Sequence, residues 1–187
     1  MGKHKRVKLD RQSIVEAAIE RIERHGLDEL SARKLAQDLG CEAMSLYHHI
    51  GNMDALQDAI VDELLSSIPI VGVREPAEAI ATEATAYLAL ARTHPRAFRL
   101  VATRRWKGDR ARAFAARVIG RFSALGLASD DALARARILG AYLNGAGLAV
   151  AAWEEDTDRQ VAVEARRVDL DLRRGLATLI ETLTSQE

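Results

Sequence analysis

Tyr47, His48 and His49 stand side by side in the stretch SLYHHIGNM, residues 45–53. Three rings with polar tips could hold a metal, exchange protons, or present donors to another molecule. Direction discriminates among these uses. Successive helical residues point about 100° apart, so His48 and His49 cannot easily share one ion, and no carboxylate or cysteine is spaced to complete a shell. An exposed contact surface is the better expectation. Two alternatives stay open beside it: His49 packing against a neighbouring helix, and Tyr47 packing its ring while its hydroxyl reaches out.

The surrounding elements read as short helices. Apolar residues at 14, 18 and 22 give a first helix one buried face. Ser13 followed three residues later by Glu16 suggests its capping box, and Gly26 its end. A second helix starts near Ser31 and ends at Gly40. A tight turn leads into a third, in which Leu46 and Ile50 face inward. Asn52 caps a fourth, with Leu56, Ile60, Leu64 and Leu65 on one side. Two short helices around a tight turn form the helix-turn-helix pattern, whose second helix projects its outer face toward a major groove. Small residues at Ala43 and Ser45 permit close approach to base edges. Cys41, the one cysteine, reads as a small apolar filler at the turn; with no possible internal disulfide, a reducing cytoplasm is expected.

Charge fits this reading by its distribution. The 27 basic and 27 acidic residues balance, but residues 1–11 carry Lys3, Lys5, Arg6, Lys8 and Arg11 against Asp10 alone. Such an arm is a solvated tail unless a reading head follows it. No signal peptide is expected from the basic first residues, which no apolar run follows. The most apolar run, residues 136–153, holds Arg137 and Asn144 and falls short of the roughly 20 apolar residues of a membrane span.

Many spaced positions between Ile14 and Leu56 carry a resemblance: Gly26, Leu30-Ser31, Leu35-Ala36, Gly40, Leu46-Tyr47, His49-Ile50 and Asn52. Together they resemble the N-terminal domain of the tetracycline-repressor (TetR) family of transcriptional regulators. The second half is similar more loosely. The resemblance implies an all-α protein: an N-terminal helix-turn-helix domain over 1–68, with its basic arm, and a C-terminal helical ligand-binding and dimerisation domain over 69–187. It places DNA contacts on Ser31, Ala32, Arg33, Ala43, Met44, Ser45, Tyr47, His48 and His49. Tyr47 is expected on a phosphate, and Arg33 on a phosphate or base edge. Met53 stands where the family often has a phosphate-binding lysine. Lys5, Arg6 and Lys8 of the arm are expected to supply the missing charge.

Beyond the break at residues 69–73, helices are expected at about 76–93, 95–104, 109–125, 130–154 and 165–184. Seven of the eight aromatics lie from Tyr87 onward. They either fill a core or line a cavity for a small apolar or amphipathic ligand. The expected lining is Tyr87, Phe98, Val101, Trp106, Phe114, Val118 and Asn144. Asn144 interrupts an apolar helix and so needs a polar partner. Tetracycline itself is not expected, because Val101 falls where the family member has its metal-binding histidine. Ala141, Gly145 and Ala149 recur every four residues, and Leu172, Leu176, Leu179, Ile180 and Leu183 follow. The resemblance makes these two helices the interface of a homodimer reading a palindromic operator.

The expectation is therefore a cytoplasmic ligand-responsive regulator, a repressor released by a small effector, and not an enzyme. No Ser-His-Asp set, phosphate loop or His/Cys/Asp cluster stands out after residue 70, no cofactor is implied, and no membrane contact is expected. The rival reading is a helix-turn-helix regulator controlled by a protein partner, with a filled C-terminal core.

Overall fold

The computed structural model describes residues 9–72, 75–154 and 159–185. Among these residues the secondary structure is helical, with no strand: α1 (Arg11–His25), a 3-10 turn (Leu27–Glu29), α2 (Ala32–Leu39), α3 (Ala43–Ile50), α4 (Met53–Ser66), α5 (Pro76–Thr93), α6 (Pro95–Thr103), α7 (Asp109–Ser123), α8 (Ser129–Glu154) and α9 (Arg159–Thr184). The all-α expectation holds. Helix α9 starts six residues earlier than its periodicity indicated.

Helix α1 is capped differently from the expectation. Asp10 is the N-cap, accepting from the Ser13 backbone N–H at 2.9 Å, while Ser13 Oγ accepts from the Asp10 N–H at 3.0 Å. Ser13 thus occupies the third helical position. Ile14, Ala18 and Ile22 are fully buried, as their spacing requires.

The turn between α2 and α3 depends on Gly40, which adopts φ 64, ψ 35. That left-handed conformation penalises a Cβ. It lets the Cys41 N–H reach back to the Ala36 carbonyl at 3.0 Å, so the chain reverses after one short helix. Ser31 caps α2, and Asn52 caps α4 by accepting from the Ala55 N–H at 2.8 Å.

Helix α8 is the axis of the second half and packs against α5, α6, α7 and α9. The first four helices are not a separate body. Helix α1 touches α6, α4 touches α6 and α7, and one apolar cluster runs from Ile14 to Leu183. Among the described residues no helix is long and apolar enough to cross a membrane.

Candidate nucleic-acid interface and interior cavity

Helix α3 is held from beneath by Leu46 and Ile50, 0% and 3% exposed. Its other face is open. Met44 is 65% exposed, His48 and His49 are exposed, and Ala43, Ser45 and Tyr47 are half-buried. On α2, Arg33 is exposed. The Ser31 hydroxyl oxygen accepts the Lys34 N–H as the α2 cap, and the Ala32 side chain is buried, so Ala32 can offer its backbone N–H at this helix start but not its side chain. Arg21 braces the unit: its guanidinium donates to Asp38 at 2.5 Å and to the Glu29 carbonyl at 3.0 Å. Lys34 pairs with Glu29. Lys5, Arg6 and Lys8 lie outside the described residues. Burial pushes the Cys41 thiol above its ordinary value.

A cavity of about 280 Å³ lies among α5, α7 and α8. Its walls are helical stripes: Ile80, Glu83, Ala84 and Tyr87 on α5; Phe114, Ala115, Val118 and Ile119 on α7; and a run from Leu133 to Asn144 on α8. Trp106, in the α6–α7 connection, completes it. Tyr87, Trp106, Phe114, Val118 and Asn144 are therefore brought together as expected. Phe98 and Val101 are not. Both are fully buried outside the lining. Phe98 meets Tyr87 edge-on at 5.5 Å and closes against Gly147, where a Cβ would come within 2.3 Å of the ring.

Asn144 finds its partner inside the chain: the Tyr87 hydroxyl donates to Asn144 Oδ1 at 2.6 Å. Burial raises the Tyr87 pKa, so this hydroxyl remains a donor at neutral pH. The wall also contains a charged group that the sequence reading missed. Glu83 is 1% exposed, and its Oε1 accepts from Arg117 Nε at 3.0 Å and Arg121 Nη2 at 3.5 Å. Arg117 also lies over the Phe114 ring at 5.1 Å. The signal was present in the sequence: one acid within an apolar i, i+3, i+4, i+7 stripe, and two arginines four residues apart.

The cavity is joined to the first four helices by the segment around Trp106. Trp106 Nε1 donates to the Val101 carbonyl at 2.9 Å. Two residues before it, Arg104 donates to Asp54 at 2.6 Å, Asp58 at 2.8 Å and Gln57 at 2.6 Å, all on α4. One residue after it, Lys107 reaches Asp54 at 3.1 Å. Arg104 and Lys107 hold the Asp54 carboxyl below its ordinary value. Asp62 of α4 accepts from the Ala111 N–H at the start of α7, at 2.9 Å.

The expected dimer residues divide into two sets. Ala141 and Gly145 are exposed, and Ala149, Leu172 and Leu179 are half-buried. Leu176, Ile180 and Leu183 are 4%, 8% and 7% exposed and belong to the chain's own core. They turn inward because α9 packs on α5 and α8. Among the described residues of these two helices, the large apolar side chains left outside are Ile138 on α8 and Val163 and Leu170 on α9.

Residues 14–60 match the family described as bacterial regulatory proteins, tetR family. The class D tetracycline repressor of Escherichia coli is 43% identical over 70 residues, which is 35% of this chain and 32% of the repressor's length. An uncharacterized HTH-type transcriptional regulator of Mycobacterium tuberculosis is 32% identical over 149 residues, covering 74% of this chain and 68% of the relative. Among solved structures, a variant of TetR from Acinetobacter baumannii in complex with minocycline superposes with a TM-score of 0.77 at 26% identity, covering 96% of this chain and all of that one.

Proposed function

The chain belongs to the tetR family of bacterial regulatory proteins, and from that premise we propose that it is a DNA-binding repressor released from a palindromic operator by a small amphipathic effector. Residues 1–68 form the reading unit and 69–187 the sensing and dimerising unit. Ala43, Met44, Ser45, Tyr47, His48 and His49 meet the major groove and its phosphates, with Arg33 and the N-terminus of α2, at Ser31 and Ala32, alongside. Met44 and Ala43 suit thymine methyl groups; the histidines and Tyr47 suit base edges or phosphate oxygens. Lys5, Arg6 and Lys8 supply charge that Met53 lacks.

The observation that carries the reading is the segment from Arg104 to Lys107. It is cavity wall at Trp106 and a clamp on α4 at its two ends. An effector that displaces the indole pulls on the clamp and reorients the helix next to α3. A coupling of about 1–3 kcal/mol changes operator affinity about 5–150-fold. The open cavity favours this over a partner-controlled regulator with a filled core. The second copy docks on the outer faces of α8 and α9, through Ala141, Gly145, Ile138 and Leu170, giving two heads related by a two-fold axis.

The test is a screen of small aromatic molecules for release of a selected operator duplex. Release accompanied by reciprocal weakening of effector binding on operator supports the switch. Equal effector affinity for free and DNA-bound protein rejects it.

A further inference from the structure

Glu83 has a second carboxylate oxygen, Oε2, that is buried and has no hydrogen-bond partner. An unsatisfied buried acceptor is costly, and this one belongs to a residue that lines the cavity. We propose that the cavity recognises a hydroxylated aromatic ligand, a phenol, whose hydroxyl donates to Glu83 Oε2. This deepens the effector reading above and rests on it.

Three features select a neutral hydroxyl. A donor is required, because the free atom is a carboxylate oxygen. A cationic donor is disfavoured. Arg117 and Arg121 already counter the one carboxylate, so an ammonium group would gain little there in return for its desolvation. An anionic head is disfavoured in turn. The charged group facing the cavity beside the rings is Glu83, whereas Arg117 and Arg121 stand behind it, outside the lining. Arg137 lines the cavity but is itself exposed, where solvent screens its charge.

The body of the ligand follows from the rings. Tyr87 and Phe114 lie nearly parallel, 6.0 Å apart, with Trp106 6.0 Å from Phe114 and 6.4 Å from Tyr87. Flat aromatic surface matches such walls by offset or edge contact. A volume of about 280 Å³ lies at the small end of ligand sites. Asn144, whose oxygen is taken by Tyr87, keeps its NH2 for an acceptor elsewhere on the ligand.

The experiment is calorimetric titration of the full chain with β-naphthol, its methyl ether, β-naphthoate and naphthalene, repeated on Glu83→Gln. In the wild-type protein β-naphthol binds at least about tenfold tighter than the methyl ether, or about 1.4 kcal/mol, and tighter than β-naphthoate. In Glu83→Gln the preference over the ether falls below about threefold, or about 0.6 kcal/mol. Equal or tighter binding of the ether or the naphthoate to wild type overturns the phenol assignment while leaving the effector cavity in place. A preference that persists in folded Glu83→Gln overturns the role of Glu83. Absence of binding by all four probes overturns both the assignment and the cavity reading. Circular dichroism checks that the variant folds; if it does not, the wild-type comparison of phenol and ether decides alone.

Discussion

Glu23 and Arg96 close each other's helices. The Glu23 carboxylate accepts from the backbone N–H of Ala97 at 2.8 Å and of Arg96 at 3.4 Å, at the start of α6. In return the Arg96 guanidinium donates to the Glu23 and Arg24 carbonyls at 3.2 and 2.9 Å, at the end of α1. Acid at a helix N-terminus and base at a C-terminus is the favourable sense of both helix dipoles. The pair joins α1 to α6 at the N-terminal end of α6. Arg104 joins α4 to the segment just beyond the C-terminal end of α6.

Replacing Arg96 by alanine removes the side-chain cap on the α1 carbonyls and leaves the Glu23 bonds to the α6 backbone in place. Urea unfolding should show a loss of about 1–2 kcal/mol, the range for a lost cap. Arg96→Lys should recover less than half, because both bonds leave one nitrogen at the tip of the guanidinium, Nη1, and the shorter lysine chain does not carry its ammonium to the same point. Full recovery by lysine would assign the effect to charge alone.

Arg104→Met removes the shared partner of Asp54, Gln57 and Asp58 and leaves Lys107 on Asp54. Operator affinity is expected to fall severalfold, because α4 loses the clamp that fixes it beside α3, while helix content stays unchanged. The pH dependence has a definite sign. Asp54 has its pKa lowered below the ordinary 3.8, chiefly by the Arg104 hydrogen bond. Its contribution is therefore present above about pH 4 and lost as pH falls through the lower folded value. The stability difference between wild type and Arg104→Met should stay flat from about pH 8 to 5 and narrow below about pH 4. A difference that collapses near neutral pH would point to a histidine instead.

Two helical glycines should respond oppositely to alanine. At Gly120 nothing lies within 4 Å of the added Cβ, so helix propensity dominates and Gly120→Ala gains up to about 1 kcal/mol. At Gly147 the Cβ would meet the fully buried Phe98 ring at 2.3 Å. Overpacking there outweighs propensity, and Gly147→Ala should lose about 1–3 kcal/mol. Thermal unfolding of the two variants side by side checks the contrast.

Gly145 faces outward, with open space where a Cβ would sit. Gly145→Arg is therefore harmless to an isolated chain and disruptive to a close contact between copies of α8. Sedimentation equilibrium should show a dimer for wild type and a monomer for Gly145→Arg, with unchanged circular dichroism. A dimer that survives the arginine would place the interface elsewhere.

The reading head was legible in the sequence because its constraints are local: apolar spacing at Ile14, Ala18 and Ile22, a left-handed glycine at 40, and Leu46 four residues before Ile50. The α1 cap was displaced by three residues for an instructive reason. Asp10, Ser13 and Glu16 offer two overlapping candidate pairs, and periodicity alone does not say where the first turn begins. The cavity was legible in part. Aromatic identity brought Tyr87, Trp106 and Phe114 forward, but it could not say that Phe98 points into Gly147 or that Val101 lies behind the wall. A sequence stripe does not reveal what covers it: the Leu176, Ile180 and Leu183 face of α9, expected at a partner copy, is buried within the same chain, where α9 packs on α5 and α8. Glu23 with Arg96, Arg104 with α4, and Glu83 with Arg117 and Arg121 join positions far apart in sequence, and only tertiary packing brings each set together.

The most direct test of the central claim is selection of duplexes from a random DNA pool by the full chain, with affinity then measured by fluorescence anisotropy for wild type and His48→Ala. Enrichment of a two-fold symmetric sequence is expected, with half-sites spaced to meet successive major grooves. His48→Ala should lose at least about tenfold in affinity, or about 1.4 kcal/mol. A pool that shows no symmetric enrichment, or binding that His48→Ala leaves unchanged at every salt concentration, would contradict that claim.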